Sequence, residues 1–269
     1  MTTLSLQYRC DDRHQPLYLR HAIVEQLARE VRHQLVGSER DAIPLSVLRE
    51  ITDLDINGLR FELWVDLEHP VRDEHGHTVF GLCEFDPGAG VDAAILSVSP
   101  AGTDMTEELV LSTFAHELGH GVFDAPGWIS RSRLPPDLFD APSERVCKAY
   151  RTTTRDAEHL HRCRADAERE ATIRFAELRA NEFMGSLLVP REGLLRSTRA
   201  LAPLFDARLV QASSLFGEPL PGPARLAEPD DPGVEDLQKA LAKRFGVHRR
   251  FIEVRMERYG LLPAQGKSA

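Results

Sequence analysis

The chain has 269 residues, 42% of them apolar and 28% charged, with a formal net charge of −9 at pH 7. That length holds one domain with an appendage or two small ones, and the apolar fraction can build a core. The negative balance excludes a surface that binds nucleic acid over its whole extent, and no run approaches the roughly 20 apolar residues that span a bilayer. The opening stretch MTTLSLQYRCDDRHQPL has no basic region followed by an apolar one, so no secretory leader is expected and the expected compartment is the cytoplasm. Cys10, Cys83, Cys147 and Cys163 are scattered without a CxxC pair, which reads as reduced thiols rather than a disulfide framework or a zinc ribbon.

Residues 17–35 place Leu19, Ile23, Leu27 and Val31 four apart, the spacing of an amphipathic helix. Residues 44–53 read as a second, shorter helix. Strand-like runs follow at 59–66, 78–85 and 93–99, each short and bounded by turn residues. The turns DEHGH at 73–77 and DPGAGVD at 86–92 separate them, so a small, mostly antiparallel sheet is expected. A helix starts near Asp104, which has capping-box spacing with Glu107, and Met105, Leu109, Phe114 and Leu118 supply its apolar contacts. It is expected to stop at Gly121. Residues 124–143 read as an irregular loop, and 156–188 as a long helix limited by Pro190. The run 217–233, rich in proline and glycine, is the clearest linker. It separates an α+β domain at 1–216 from a helical segment at 234–269, whose two helices join at 246–247.

Residues 113–121 read TFAHELGHG and contain the H-E-x-x-H pattern. On a helix, His116 and His120 stand one turn apart on one face, so both imidazoles can reach a single ion. Glu117 lies beside that stripe, where it can take a proton from a metal-held water without ligating the metal. The bland alternative is a solvated helix with two surface histidines. The cap, the preceding sheet and Phe114, Ala115 and Leu118 argue instead for a helix at least half buried. Gly119 inside a helix costs about 1 kcal/mol relative to alanine, which suggests close approach of a neighbouring strand or of substrate.

A catalytic zinc usually takes three protein ligands and leaves one position open. Residues 121–130 contain no histidine, so the metzincin extension is absent. In the stretch that leads to Pro190, Ile173, Ala176, Ala180, Phe183, Met184 and Leu187 form an apolar stripe that includes Glu177. A carboxylate on a buried face is expensive; a metal would resolve it, and so would a neighbouring arginine.

HELGH, followed by E-x-x-A-N-x-F and L-L-x-P, resembles the ImmA/IrrE family of bacterial metallopeptidases. The matching residues are His116 to His120, then Glu177, Ala180, Asn181, Phe183, Leu187, Leu188 and Pro190. The run GLCEFDPGAGVDAAILSVSP also resembles that family's strands before the active helix, and the likeness covers roughly residues 45–200. It implies one zinc per chain held by His116, His120 and Glu177, with Glu117 as the catalytic base. It also implies a gluzincin-like core, a sheet packed on the HExxH helix with a second helix carrying the glutamate. The implied activity is that of a zinc endopeptidase cutting a protein partner, a helix-turn-helix repressor of phage, mobile-element or stress genes. The chain departs from the pattern at 121–176, longer than the family commonly shows. Tyr150, His159 and His161 in that insert are candidate donors to an oxyanion.

Residues 234–262 hold seven Lys/Arg against four Asp/Glu and resemble half of a helix-turn-helix, with Arg249 and Arg250 opening the second helix. They are the one local stretch that could touch nucleic acid. The plainer reading is an amphipathic pair with Leu237, Leu241, Phe245, Phe251, Ile252 and Met256 inside. The alternative function is therefore a non-proteolytic zinc-binding transcriptional regulator acting through this segment. Glu117 discriminates the two, because a purely structural zinc site has no need of it.

Overall fold

The computed structural model describes residues 2–37, 40–73, 76–103, 105–133, 147–151, 167–211, 225–227 and 232–263. Alternation in TTLSL turns Leu4 and Leu6 inward on strand β1 (Thr2–Leu6), an element the sequence reading did not include. Helix α1 (His21–Val36) buries Val24, Leu27, Ala28, Val31 and Arg32. The stripe turns by one position from the expected one at its start, leaving Ile23 exposed.

The helix expected over 44–53 divides in two. One turn, α2 (Leu45–Leu48), is followed by strand β2 (Ile51–Ile56), which buries Ile51, Leu54 and Ile56. Asn57 and Gly58, both at positive φ, make a two-residue hairpin loop into β3 (Leu59–Asp66). Strands β4 (Gly81–Phe85) and β5 (Ala93–Val98) follow, and β6 (Cys147–Arg151) completes a six-stranded sheet in the order β1-β2-β3-β5-β4-β6. The expected mostly antiparallel sheet is mixed: β1–β2 and β3–β5 are parallel, the other three pairings antiparallel. The reason is insertion. Strand β5 enters between β3 and β4 instead of adding outside β4, and α1 with α2 supplies the crossover that a parallel β1–β2 pair requires.

Helix α3 (Glu107–Phe123) is capped by Thr106, whose side chain accepts from the Leu109 amide at 3.2 Å. The Asp104 of the expected capping box lies outside the described residues. The helix runs past Gly121 to Phe123, and residues 110–123 are all buried. A Cβ on Gly121 would stand 3.6–3.7 Å from the Leu54, Leu63 and Leu96 side chains of β2, β3 and β5, so this face of the helix lies on the sheet. Part of the expected loop is helical, α4 (Ala125–Ser132). Helix α5 (Ala167–Leu188) covers the described part of the predicted 156–188 helix. Its buried stripe is Ala180, Phe183 and Leu187, while Ile173 is exposed.

Helix α6 (Arg191–Leu201), the short pair β7 (Leu209–Val210) and β8 (Arg225–Leu226), α7 (Pro232–Phe245) and α8 (Arg249–Arg258) follow. The chain forms two compact units, Met1–Ser38 with Pro44–Leu187, and Glu39–Ile43 with Leu188–Ala269. The second unit begins at Leu188, upstream of the expected 217–233 linker, much of which lies outside the described residues. Packing explains the difference. Leu237, Leu241, Phe245, Ile252 and Met256 are buried as expected. The Phe245 ring lies against Gly193 of α6, and the Tyr259 hydroxyl donates to the Val189 carbonyl at 3.3 Å. Phe251 is half-buried. No helix among the described residues is long and apolar enough to cross a membrane.

Candidate metal centre

Helix α3 presents His116 and His120 one turn apart, both essentially without solvent exposure. Their rings are 4.9 Å apart between centroids at 72°, and the two Nε2 atoms are 3.2 Å apart. Glu177 of α5 closes the group. Its Oε2 is 3.3 Å from His116 Nε2 and its Oε1 is 3.3 Å from His120 Nε2. The side chain keeps 33% exposure, so the cluster is buried on the histidine side and open on the glutamate side. One ligand atom from each of the three lies within 4.8 Å of the others.

What brings α5 so near is Gly119. A Cβ there would sit 3.0 Å from the Ala180 Cα and 3.3 Å from its Cβ. The close neighbour expected at Gly119, a strand or a substrate, is thus the backbone of the second helix. Ala180 is one turn past Glu177 on that helix, so the contact brings the carboxylate to the imidazoles.

A second layer lies behind His120. Its Nδ1 is 2.8 Å from Asp124 Oδ2, and an Arg179 guanidinium nitrogen is 2.5 Å from Asp124 Oδ1. The guanidinium rests over the Phe123 ring, 5.4 Å from its centroid, and Phe123 packs edge-on against Phe183 and tilted against Tyr8. Tyr8 donates its hydroxyl to the Val122 carbonyl at 2.8 Å, and burial holds its pKa well above the usual value, with the Asp124 charge adding to the rise.

Charge and burial oppose each other at the centre. Burial alone would lower the His120 pKa, but hydrogen bonds to Asp124 and Glu177 outweigh it and raise it to about 10. Burial would raise Glu177, and the two histidines bring it down to about 2. Asp124 is likewise held below the usual carboxylate range, because His120 and Arg179 overcome its burial.

Glu117 is fully buried on the sheet side of α3. A Cβ on Gly81 of β4 would meet Glu117 Cγ and Oε1 at 2.9 Å and Thr113 Cγ2 at 2.6 Å. Glycine at that strand position gives the carboxylate its room. The Glu117 charge also contributes to raising His120.

Two imidazole nitrogens and a carboxylate oxygen are donors that suit a borderline divalent ion. The three polar atoms converge on one another, two of them imidazole nitrogens and one a carboxylate oxygen, a grouping that fits a cation between them. Tyr150 lies on β6, in register with Leu82, while His159 and His161 fall outside the described residues. The sequence reading missed Gly81, Asp124 and Arg179. Only Asp124 left a signal, its i,i+4 spacing from His120. Comparison with family models, with curated proteins and with solved structures finds no match for the chain.

Proposed function

We propose that this chain is a zinc-dependent endopeptidase, with one zinc held by His116, His120 and Glu177 on a gluzincin-like core related to the ImmA/IrrE peptidases. The observation that carries the proposal is the convergence of the three ligand atoms within 4.8 Å, from two helices, beside a second carboxylate, the buried Glu117. A zinc in that position would supply Lewis-acid polarisation of the scissile carbonyl and acidify water to a pKa of about 7. Glu117 accepts the proton of the attacking water and returns it to the leaving amine. Its burial against β4 fixes where that proton is held. His120 acts as a neutral donor through Nε2, with its Nδ1 hydrogen directed at Asp124.

The substrate proposed is a protein, a helix-turn-helix repressor met in the cytoplasm. Its support is the pairing of HELGH with E-x-x-A-N-x-F and L-L-x-P. The alternative, a non-proteolytic regulator working through residues 234–262, has less support. The apolar positions of that segment are buried within its own unit. Arg244 bonds Asp41, Arg249 bonds Gln238 and Arg250 pairs with Glu253, so these three of its seven basic side chains have partners inside the unit.

Metal analysis of the purified protein tests the first half: about one zinc per chain, lost in His116→Ala and Glu177→Ala. Co-expression with candidate helix-turn-helix repressors tests the second, by cleavage seen on a gel and mapped by mass. A wild-type chain grown with zinc and purified without any removes the proposal. Bound zinc with every repressor left intact favours the regulatory reading.

A further inference from the structure

The structure assigns Asp124 and Arg179 as positioning residues: Asp124 orients His120 toward the ion, and Arg179 fixes Asp124 from the helix that carries Glu177. This rests on the metal-site reading above.

An ionised carboxylate can only accept, so the 2.8 Å contact puts the hydrogen of His120 on Nδ1. In the neutral ring Nε2 is then a lone pair, and it is the atom that faces His116 and Glu177. With the hydrogen on the other nitrogen the ring would present N–H to the site and could not ligate. Asp124 is only 7% exposed, and a carboxylate there is costly without compensation. Arg179 supplies it at 2.5 Å with a side chain 14% exposed, its guanidinium laid over Phe123.

Position along the chain matters as much as contact. Arg179 follows Glu177 by two residues and immediately precedes Ala180, the residue against Gly119. A closed circuit results: His120 to Asp124, Asp124 to Arg179, Arg179 through α5 to Glu177, and Glu177 back to His120. Docking of α5 therefore delivers one ligand directly and sets the orientation of another. A plain buried ion pair joining two helices would hold α5 in place without influencing the ion.

The test uses the full chain stripped of metal. Zinc affinity is measured by competition with a chromophoric chelator, and cobalt(II) is added as a spectroscopic probe of the ligand set. The variants are Asp124→Asn, Arg179→Gln and the double variant Asp124→Asn/Arg179→Gln. The double variant removes both members of the Asp124–Arg179 pair, so neither is left as a lone buried charge where a single change would leave one. The expected result is a zinc Kd weakened about 10–100-fold in Asp124→Asn, with a shifted cobalt absorption band. Arg179→Gln weakens zinc less, and the double variant no more than Asp124→Asn, because Arg179 acts through Asp124. Wild-type affinity and an unchanged cobalt spectrum in the folded double variant overturn the assignment and leave the metal site standing. A wild-type chain that takes up neither ion overturns both.

Discussion

Glu117 and Glu177 stand beside the same pair of imidazoles, and their surroundings separate their roles. Glu177 meets both Nε2 atoms, and Glu117 is packed against Gly81 of β4. With Glu117 as the proposed base, Glu117→Gln keeps the shape and removes the proton acceptor, so the proposed peptidase activity is expected to fall about 10²–10⁴-fold with zinc content unchanged. Zinc lost together with activity would show that Glu117 holds the site together instead. His120 carries the pH dependence. Its pKa is raised to about 10 in the metal-free protein, so at neutral pH it holds a proton that zinc must displace. Zinc uptake is expected to release protons and to tighten as pH rises toward 10. Titration calorimetry in buffers of different ionisation heat measures this, and binding heats that do not vary with the buffer would contradict it. For the metal-free chain the linkage runs at both ends. The raised His120 contributes stability below about pH 6.5 that is lost as pH climbs to about 10. The lowered Glu177 contributes stability above about pH 4.5 that is lost as pH falls to about 2. Melting of the metal-free chain across that range should be steepest at the two ends.

At the scale of elements, α3 is a helix with a glycine on each of two faces, and the two glycines do different things. Gly121 faces the sheet with ordinary contact distances of 3.6–3.7 Å, so Gly121→Ala has room. Gly119 faces the α5 backbone at 3.0 Å, where a methyl group can be accepted only if one helix moves. Alanine in place of glycine gains about 1 kcal/mol of helix propensity at either position. At 121 that gain is expected to survive as a neutral or raised melting temperature. At 119 overpacking of about 1–3 kcal/mol opposes it, and moving α5 carries Glu177 away from the histidines. Gly119→Ala is expected to melt lower and bind zinc more weakly. Paired melts and zinc titrations check both, and equal behaviour of the two variants would contradict the helix contact. The two glycines are alike in HELGHG read as a string, because helical spacing says which residues share a face and not what stands opposite.

At the scale of the molecule, α7 and α8 belong to a unit that starts at Leu188 and takes in residues 39–43. Asp41 accepts from Arg244 at 2.6 Å, and Arg196 also pairs with it. Ending the chain at residue 216 would take Leu237, Leu241, Phe245, Ile252 and Met256 out of that core. At about 1.5–3 kcal/mol for each buried side chain, the loss is on the order of 10 kcal/mol, comparable with the whole stability of a domain. The 1–216 fragment is expected to be aggregated in size-exclusion chromatography. A monodisperse fragment with wild-type zinc content would restore the boundary to the 217–233 run. A proline-rich stretch signals a break in regular structure, and packing alone decides where one core stops.

The residues themselves determined what depends on neighbours a few positions apart. Strand β3 was legible from the alternation of LRFELWVD, and the register of His116, Glu117 and His120 from helical spacing. Glu177 was legible as a carboxylate at odds with an apolar stripe, with two readings open from spacing alone. Tertiary structure decided the rest. It inserted β5 between β3 and β4, set Gly119 on Ala180, put Gly81 beside Glu117, and joined Asp124 to Arg179 across fifty-five positions of sequence. Periodicity reports which face a side chain occupies on its own element. Partners so far apart in sequence meet only when two such faces are packed together, and that choice is made by the fit of glycine, alanine and buried charge at the contact.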